Sequence, residues 1–383
     1  MSNVTLVDCS IGSNEEHSWR ILLVTSANTK NALAELPNFL EWQGEGEAVI
    51  EKACSYYVRW VYSALADLQR DYGVPYLTSV RALPSQQQQQ LLLAPPVFQC
   101  LWNSGKPAQR ARLASFISTE QLRAGLHPLS GPSVWSAIGD CGKAVNHCYV
   151  AGATADDNPV VRIGRILLDF GSPHALDHYP SEFGEISPVV NNRLDLSSKL
   201  AEGLAALSRV STLAHKNLIS NTQLFAVVDT PGRAERAIAM STCELIGRMS
   251  VLNLHSNLWT TGKIMNSLVH ESIHTLLYKL ELQQPLYTNR QDAWRLQVTS
   301  PWSGRVLYLH SFVHACFVWF GLCNFWQLAR PLHSDWEAFF STARSGFSHG
   351  SPAECLSDEA KRCVQPLVLG LIDGMSESIE RRF

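Results

Sequence analysis

Residues 263–280 read KIMNSLVHESIHTLLYKL. Apolar residues recur every three or four positions in this stretch, which is the spacing of an amphipathic α-helix. An HExxH motif occupies positions 270–274. Because four residues make about one helical turn, the imidazoles of His270 and His274 project from one face, and such a pair suits a single metal ion. Glu271 lies partly on the same side, where it can hydrogen-bond a ligand of that metal.

The helical setting strengthens an otherwise weak motif. An HExxH pattern fixes only three positions and occurs by chance in many proteins. Here it falls in the middle of an apolar helix, where two histidines without partners would be costly to bury. A metal site is therefore favoured over two core histidines that are satisfied by hydrogen bonds.

A third metal ligand has to come from elsewhere in the chain. The Gly-and-His extension of metzincins is missing, because leucines stand in its place. No glutamate occurs between Glu281 and Glu337, which argues against a thermolysin-like site. His310 and His314 remain, four residues apart on one helical face, and His314 is the favoured ligand with His310 as its alternate. Three protein ligands and an open position are typical of catalytic metal sites.

These two histidines belong to the longest apolar run, residues 306–326, which is long enough to span a bilayer. Its polar residues favour a buried core helix instead, with those polar groups facing a site. We expect Arg305 to stand at the start of this helix, where the dipole disfavours a cation and an anionic ligand such as a carboxylate would suit it. A surface arginine at a loop edge explains Arg305 equally well.

Composition excludes several classes of protein. Apolar residues make up 46% of the 383 residues and charged residues 17%, so the chain can bury a large core. A balance of 31 basic against 34 acidic residues provides no basic surface for nucleic acid. The ten cysteines lack CxxC or zinc-finger spacing, and the first residues lack the features of a signal peptide. These features predict free thiols, a cytoplasmic location and no membrane association, and buried thiols are favoured over a metal site around His147.

The pattern of elements predicts a mainly α protein with a few β-strands (α+β), in which the metal site lies between the HExxH helix and the downstream apolar helix. A change in composition predicts a domain boundary near residue 192. It separates residues 1–192, a mainly helical region, from residues 193–383, the metal-binding catalytic region. The glutamine run at 86–90 is interpreted as an exposed loop, with a helical extension as the alternative. Apolar patterning predicts helices at 47–72 and 196–219 and strands at 160–170, 223–229 and 245–252.

A resemblance to a known family emerges from several features taken together. The HExxH helix is followed by Ser300-Pro301-Trp302, by Arg305, by an apolar helix led by His314 and by a closing Phe-Trp pair. This combination resembles the HExxH-motif proteins of bacterial peptide-modification clusters, the group called α-ketoglutarate-dependent HExxH-type peptide β-hydroxylases. The resemblance covers residues 246–326, about a fifth of the chain.

The resemblance implies a nonheme iron(II) oxygenase that uses α-ketoglutarate and O₂ to hydroxylate the β-carbon of a residue in a ribosomally made precursor peptide. It also implies a role for the N-terminal region in recognising the peptide or its leader. The residues that it assigns are His270, His274 and His314 as metal ligands, and Arg305 and Ser300 at the co-substrate. Glu271 is the predicted catalytic carboxylate, and the resemblance leaves open whether it binds the metal or supports the ligands. Family members often place a basic residue directly after Ser-Pro-Trp, where this chain has Ser303.

Two other functions compete with the oxygenase. In a zinc-dependent HExxH metallopeptidase, the metal would activate water and Glu271 would act as the general base. In a non-catalytic peptide-binding protein, the histidines would be structural. Neither the peptide sequence nor the oligomeric state follows from the sequence.

Overall fold

The structure is a computed structural model that describes residues 7–9, 19–21, 31–44, 46–131, 136–137, 142–145, 148–151, 160–233, 235–348 and 350–383. The described part is mainly helical with small sheets, and this confirms the predicted α+β class.

Fifteen α-helices lie within these described ranges. They are α1 (Ala32–Phe39), α2 (Glu47–Tyr72), α3 (Tyr76–Arg81), α4 (Ser85–Leu93), α5 (Pro95–Trp102), α6 (Pro107–Arg123), α7 (Pro173–Leu176), α8 (Arg193–Val210), α9 (Thr212–Asn221), α10 (Thr261–Glu281), α11 (Arg290–Ala293), α12 (Leu309–Ala329), α13 (Glu337–Ser345), α14 (Asp358–Cys363) and α15 (Pro366–Arg382). Short 3₁₀ helices cover Ser181–Phe183, Arg330–Leu332, Ser334–Trp336 and Pro352–Cys355.

The same part of the chain contains twelve short strands. They are β1 (Val7–Cys9), β2 (Trp19–Ile21), β3 (Gly142–Val145), β4 (Cys148–Ala151), β5 (Val160–Ile163), β6 (Ile166–Asp169), β7 (Ser187–Pro188), β8 (Leu224–Asp229), β9 (Ile238–Met240), β10 (Arg248–Leu252), β11 (Gln297–Thr299) and β12 (Val306–Tyr308).

The chain divides into two compact units that interleave along the sequence. Unit 1 comprises Met1–Ser26, Cys54–Ala201 and Thr222–Trp259, and unit 2 comprises Ala27–Ala53, Glu202–Asn221 and Thr260–Phe383. The division falls inside α2 and α8. This division into two units differs from the single boundary predicted near residue 192. The functional roles assigned to residues 1–192 and 193–383 stay predictions.

Unit 1 is built around a six-stranded sheet. Its strand order is β5-β6-β8-β10-β9, and β7 pairs with β8. The inner strands β6, β8 and β10 are parallel, whereas β5 and β9 run antiparallel at the two edges. β8 and β10 are almost entirely buried, as expected for inner parallel strands. The run at 160–170 forms a β5–β6 hairpin rather than one strand, because Gly164 adopts a positive φ of 58° in the two-residue turn.

Unit 2 contains the HExxH helix α10, which packs against α9 and α12. Within the described ranges, α12 together with the 3₁₀ turn after it is the one helix long and apolar enough to cross a membrane. Of its most apolar window, 78% is buried inside the protein. An all-round apolar helix that is buried in this way belongs to a protein core, in agreement with the prediction for the 306–326 run.

Two local predictions differ from the structure. The glutamine run lies in helix α4 rather than in a loop, because the buried side chains of Leu91 and Leu92 anchor the end of that helix. The helix expected at 196–219 is divided into α8 and α9 at Ser211, whose Oγ accepts a hydrogen bond from the Ala214 amide at 3.1 Å and so begins a new helix.

The close approach of α8 to α10 generates a stability prediction. A Cβ atom on Gly203 of α8 would lie 2.3 Å from Ile264 Cγ2 on α10. We expect Gly203→Ala to lower the free energy of unfolding by about 1–3 kcal/mol in urea denaturation, through overpacking. The matched control Gly370→Ala, in α15 with no atom within 4 Å of the added Cβ, should raise it by about 0.5–1 kcal/mol. Equal effects of the two substitutions would contradict this account of the contact.

Candidate metal centre

Helix α10 presents the site from one face. Thr260 begins the helix, since its Oγ1 accepts a hydrogen bond from the Lys263 amide at 3.2 Å. His270, His274 and Glu281 follow at intervals of four and seven residues, which places them on one side of the helix. Ser272, inside the motif, is buried on another side, where its Oγ accepts a hydrogen bond from Asn217 Nδ2 of α9 at 3.0 Å. This contact with α9 directs the histidines towards α12.

Helix α12 supplies the other two imidazoles of the site. His310 and His314 lie in its first two turns and are only 2% and 1% exposed. Tyr287 Oη donates a hydrogen bond to the His310 carbonyl at 3.1 Å. The imidazole rings of His310 and His314 are stacked, with centroids 4.4 Å apart. The structure thus confirms that the site lies between the HExxH helix and the downstream apolar helix.

The three histidines predicted as ligands are neighbours, but they lie in series. His270 Nε2 is 3.2 Å from His274 Nε2, and His274 Nδ1 is 3.1 Å from His314 Nδ1. These contacts use opposite nitrogens of the His274 ring. Since one imidazole cannot direct both nitrogens at the same ion, this arrangement does not aim all three predicted ligands at a common point.

A different set of three donors does converge. His314 Nε2 lies 2.5 Å from Glu281 Oε1, and His310 Nε2 lies 3.4 Å from the same oxygen. All three ligand atoms are within 4.8 Å of one another, so Glu281, His310 and His314 could hold one metal ion. Donors that each bind an ion at about 2.1 Å are separated by roughly 3–4 Å, and modest side-chain movement brings this set to that spacing. Both downstream histidines therefore belong to the converging set.

An unsatisfied atom supports the fit of a metal ion to this set. His310 Nε2 is buried and lacks a hydrogen-bond partner among the described residues. A buried polar atom left unpaired costs about 1–3 kcal/mol. Trp294 covers the His310 ring, with stacked centroids 4.2 Å apart, so the ring is held with its free nitrogen near Glu281. Metal ligation would satisfy this nitrogen.

The protonation states suit metal binding. Burial by itself would raise the pKa of Glu281, but the adjacent imidazoles of His314 and His310 hold it down, to about 2. Burial lowers the pKa of His314, and it lowers that of His274 well below the ordinary value. At neutral pH the site thus offers an ionised Glu281 carboxylate and a neutral His314 imidazole, the forms in which these groups bind metals.

Glu271 is placed at the HExxH pair rather than at the converging donors. Its side chain is buried, and its Oε1 lies 3.9 Å from His270 Nε2. The adjacent Thr275 Oγ1 donates to the Glu271 carbonyl at 3.0 Å. Its catalytic role stays a prediction.

Ser300 and Arg305 close the β11–β12 hairpin. The Ser300 amide donates to the Arg305 carbonyl at 2.8 Å, and Ser300 is buried whereas Arg305 is exposed. Because β12 occupies Val306–Tyr308, Arg305 lies in the hairpin turn, and its expected place at the start of α12 is wrong. The roles of both residues at the co-substrate stay predictions.

The tryptophan of the Ser-Pro-Trp motif is a structural anchor. Trp302 stacks on Trp319 of α12 at 5.8 Å, and its Nε1 donates to the Ala343 carbonyl at 3.0 Å. The edge of Trp319 meets His270 at a centroid distance of 6.2 Å. The motif thereby fixes the hairpin to α12 and helps to position the HExxH helix.

Glu281 is the site residue that sequence reasoning missed. The third ligand was sought beyond Glu281, although this residue lies seven positions after His274, two turns along the same face. Extending the HExxH face along its own helix would have found it. The candidate residues Cys141 and His147 lie outside the described residues, and the seven cysteines with described side chains are free thiols.

No protein-family model matches the chain, and no curated protein matches it significantly. The resemblance to peptide β-hydroxylases therefore rests on the motif residues quoted above.

Metal analysis can distinguish a site at Glu281, His310 and His314 from a site at the HExxH pair, His270 and His274. We expect the near-isosteric substitutions Glu281→Gln and His314→Gln each to abolish binding of Co(II) and Zn(II), because each removes one of three converging donors. His270→Gln, whose ring lies at the far end of the series, should retain both metals. The measurements are metal content after dialysis and the rise in unfolding free energy, about 2.7 kcal/mol at a hundredfold excess over Kd. Loss of metal in His270→Gln with retention in Glu281→Gln would assign the ion to the HExxH pair instead.

Proposed function

We propose that the protein is a nonheme iron(II), α-ketoglutarate-dependent oxygenase that hydroxylates the β-carbon of a residue in a ribosomally made precursor peptide. One observation carries the proposal: Glu281, His310 and His314 form a two-histidine, one-carboxylate donor set with converging ligand atoms. This donor set with open positions is typical of nonheme iron(II) oxygenases. The family resemblance supplies the co-substrate and the peptide, and the free thiols are compatible with a cytoplasmic setting.

Iron(II) held by such a set would supply the oxidising chemistry with the α-keto acid and O₂. The residues of the chain supply geometry and a dry environment. Burial of His310 and His314 and the 12% exposure of the Glu281 side chain limit the access of water. Tyr287 fixes the backbone of the His310 turn, and Trp294 fixes its ring.

The HExxH histidines would then orient the ligands. His274 Nδ1 lies 3.1 Å from His314 Nδ1, so this contact sets the plane of the His314 ring and which of its nitrogens faces Glu281. Partners of this kind tune metal affinity by roughly 10–100-fold. His270, with 29% of its side chain exposed, stands at the solvent end of the series and supports His274.

The co-substrate needs a cation for its distal carboxylate. Lys263 on α10 precedes Glu281 by 18 residues, about 27 Å along the helix, so it is too far from the converging donors to reach a co-substrate bound there. Arg305, favoured by the family resemblance, lies on the exposed hairpin turn. We propose Arg305 as the partner of the distal carboxylate.

A zinc peptidase remains the alternative function, and one distance favours it. The 3.2 Å separation of His270 Nε2 from His274 Nε2 matches two ligands of one ion, with Glu271 nearby as a general base. In that case the activity would depend on the HExxH pair and not on Glu281.

The oxygenase proposal is tested by anaerobic reconstitution. The protein is loaded with iron(II) and incubated with α-ketoglutarate, ascorbate, O₂ and a candidate precursor peptide. Intact peptide should gain one oxygen atom, with formation of succinate, and Glu281→Gln should lose both products. Peptide cleavage that needs zinc but not α-ketoglutarate would establish the peptidase instead.

The carboxylate partner is tested separately. Arg305→Ala should raise the apparent KM for α-ketoglutarate by about tenfold or more, as expected for the loss of a charge-assisted hydrogen bond, and leave the KM for the peptide unchanged. Arg81→Ala, at an exposed position at the end of α3, serves as the matched control. Equal KM values for α-ketoglutarate in the Arg305→Ala and Arg81→Ala proteins would reject this role for Arg305.

A further inference from the structure

Three large apolar side chains are exposed side by side next to the metal centre. Trp294 is 41% exposed, Val306 60% and Tyr308 48%. Val306 and Tyr308 are two residues apart on β12 and therefore share one face of the hairpin. The Trp294 ring lies 6.5 Å from that of Tyr308 and covers His310. These three residues, the β12 stripe, lead from the hairpin to a residue of the converging donor set.

The backbone beside this stripe is an open strand edge. The Ser300 amide bonds to the Arg305 carbonyl and the Leu309 amide to the Leu296 carbonyl, so hydrogen-bonded pairs alternate along the hairpin. By this alternation the Val298–Leu307 pair is hydrogen-bonded, whereas Thr299 faces Val306 in a non-hydrogen-bonded pair. The Val306 amide and carbonyl therefore point away from β11. Within the described ranges the sheet has two strands, so no third strand pairs with this edge.

The charge around the hairpin identifies the kind of strand that would fit. Residues 290–305 contain three arginines and one aspartate, and Glu359 pairs with Arg295 at 2.8 Å, so this group carries a net charge of +1, although the whole chain carries −3. An edge with exposed backbone donors and acceptors pairs with another extended backbone. A basic setting beside an apolar stripe favours a partner strand that carries acidic and apolar side chains.

We propose that the outer edge of β12 binds the peptide substrate as an added third strand. The peptide is an extended segment with apolar residues at alternate positions, which pack on the β12 stripe, and acidic residues close to the target. Because Trp294 covers His310, a segment bound on the stripe would lie next to the metal centre. This inference rests on the proposed function and specifies how its peptide is held.

The test measures binding in the metal-free full-length protein, so that it does not depend on the oxygenase reaction. The probe is a fluorescein-labelled synthetic peptide of about ten residues, with valine at alternate positions and aspartate or threonine between them. Fluorescence anisotropy gives its Kd. A peptide with lysine in place of aspartate, and one with N-methylated backbone amides, should bind more weakly.

A pair of proline substitutions tests the edge itself. Val306→Pro removes the outward-facing amide of β12 without removing a hydrogen bond of the hairpin, and it should weaken binding about fivefold. The matched control Thr299→Pro removes the equivalent amide on the opposite edge and should leave Kd unchanged. Tyr308→Ser and Trp294→Ala, which keep the strand backbone, should each weaken binding by about fivefold or more through loss of apolar contact.

Two results would overturn the proposal. One is equal affinity of the Val306→Pro and Thr299→Pro proteins for the probe, together with unchanged affinity in Tyr308→Ser. The other is self-association in sedimentation velocity that Val306→Pro abolishes, because the edge would then pair with a second copy of the chain. Probe binding that follows the predicted pattern in a protein without α-ketoglutarate turnover would retain the docking edge and reject the oxygenase.

Discussion

The site depends on the burial of one carboxylate between two helices. An ionised carboxylate in apolar surroundings is unstable unless hydrogen bonds or ions compensate its charge. Glu281 meets this requirement through a hydrogen bond with His314 at 2.5 Å, and His310 Nε2 lies 3.4 Å from the same oxygen. Since both imidazoles come from α12, satisfying the carboxylate fixes which face of α12 turns towards α10. A helix that is apolar all round has little else to specify its rotation.

Packing of the two helices reinforces this polar constraint. Gly321 lies on α12 where an added Cβ atom would stand 2.6 Å from Ile273 Cδ1 of α10, so the helices approach closely at that level. Trp42 Nε1 donates to the Gly321 carbonyl at 2.7 Å and occupies the neighbouring space. The close contact of Gly321 with Ile273 and the cluster around Glu281 lie at different points along the same two helices. Together they set both the separation and the rotation that the donor atoms require.

Much of this arrangement follows from sequence patterns, and the exceptions have physical causes. Apolar periodicity predicts α10, α2 and the buried strands β8 and β10, because each buries one repeated face or a continuous run. Whether His310 or His314 is the ligand could not be decided, because both lie on one face; the structure places both beside Glu281. The start of α12 was misplaced because three residues of the apolar run pair with β11 instead. Apolar periodicity within the run cannot reveal this hairpin, because the pairing depends on the strand that precedes the run.

The donor set also bears on how the metal would be selected. Two imidazoles and a carboxylate bind zinc more tightly than iron(II) on intrinsic affinity alone. Selection of iron would then depend on ligands that complete its coordination in the open positions, such as a bidentate α-keto acid held by a cation. Arg305 in the hairpin turn would hold that co-substrate, and the β12 stripe beside His310 would hold the peptide. Dependence of turnover on α-ketoglutarate is thus a better identifier of the working metal than the metal found after purification.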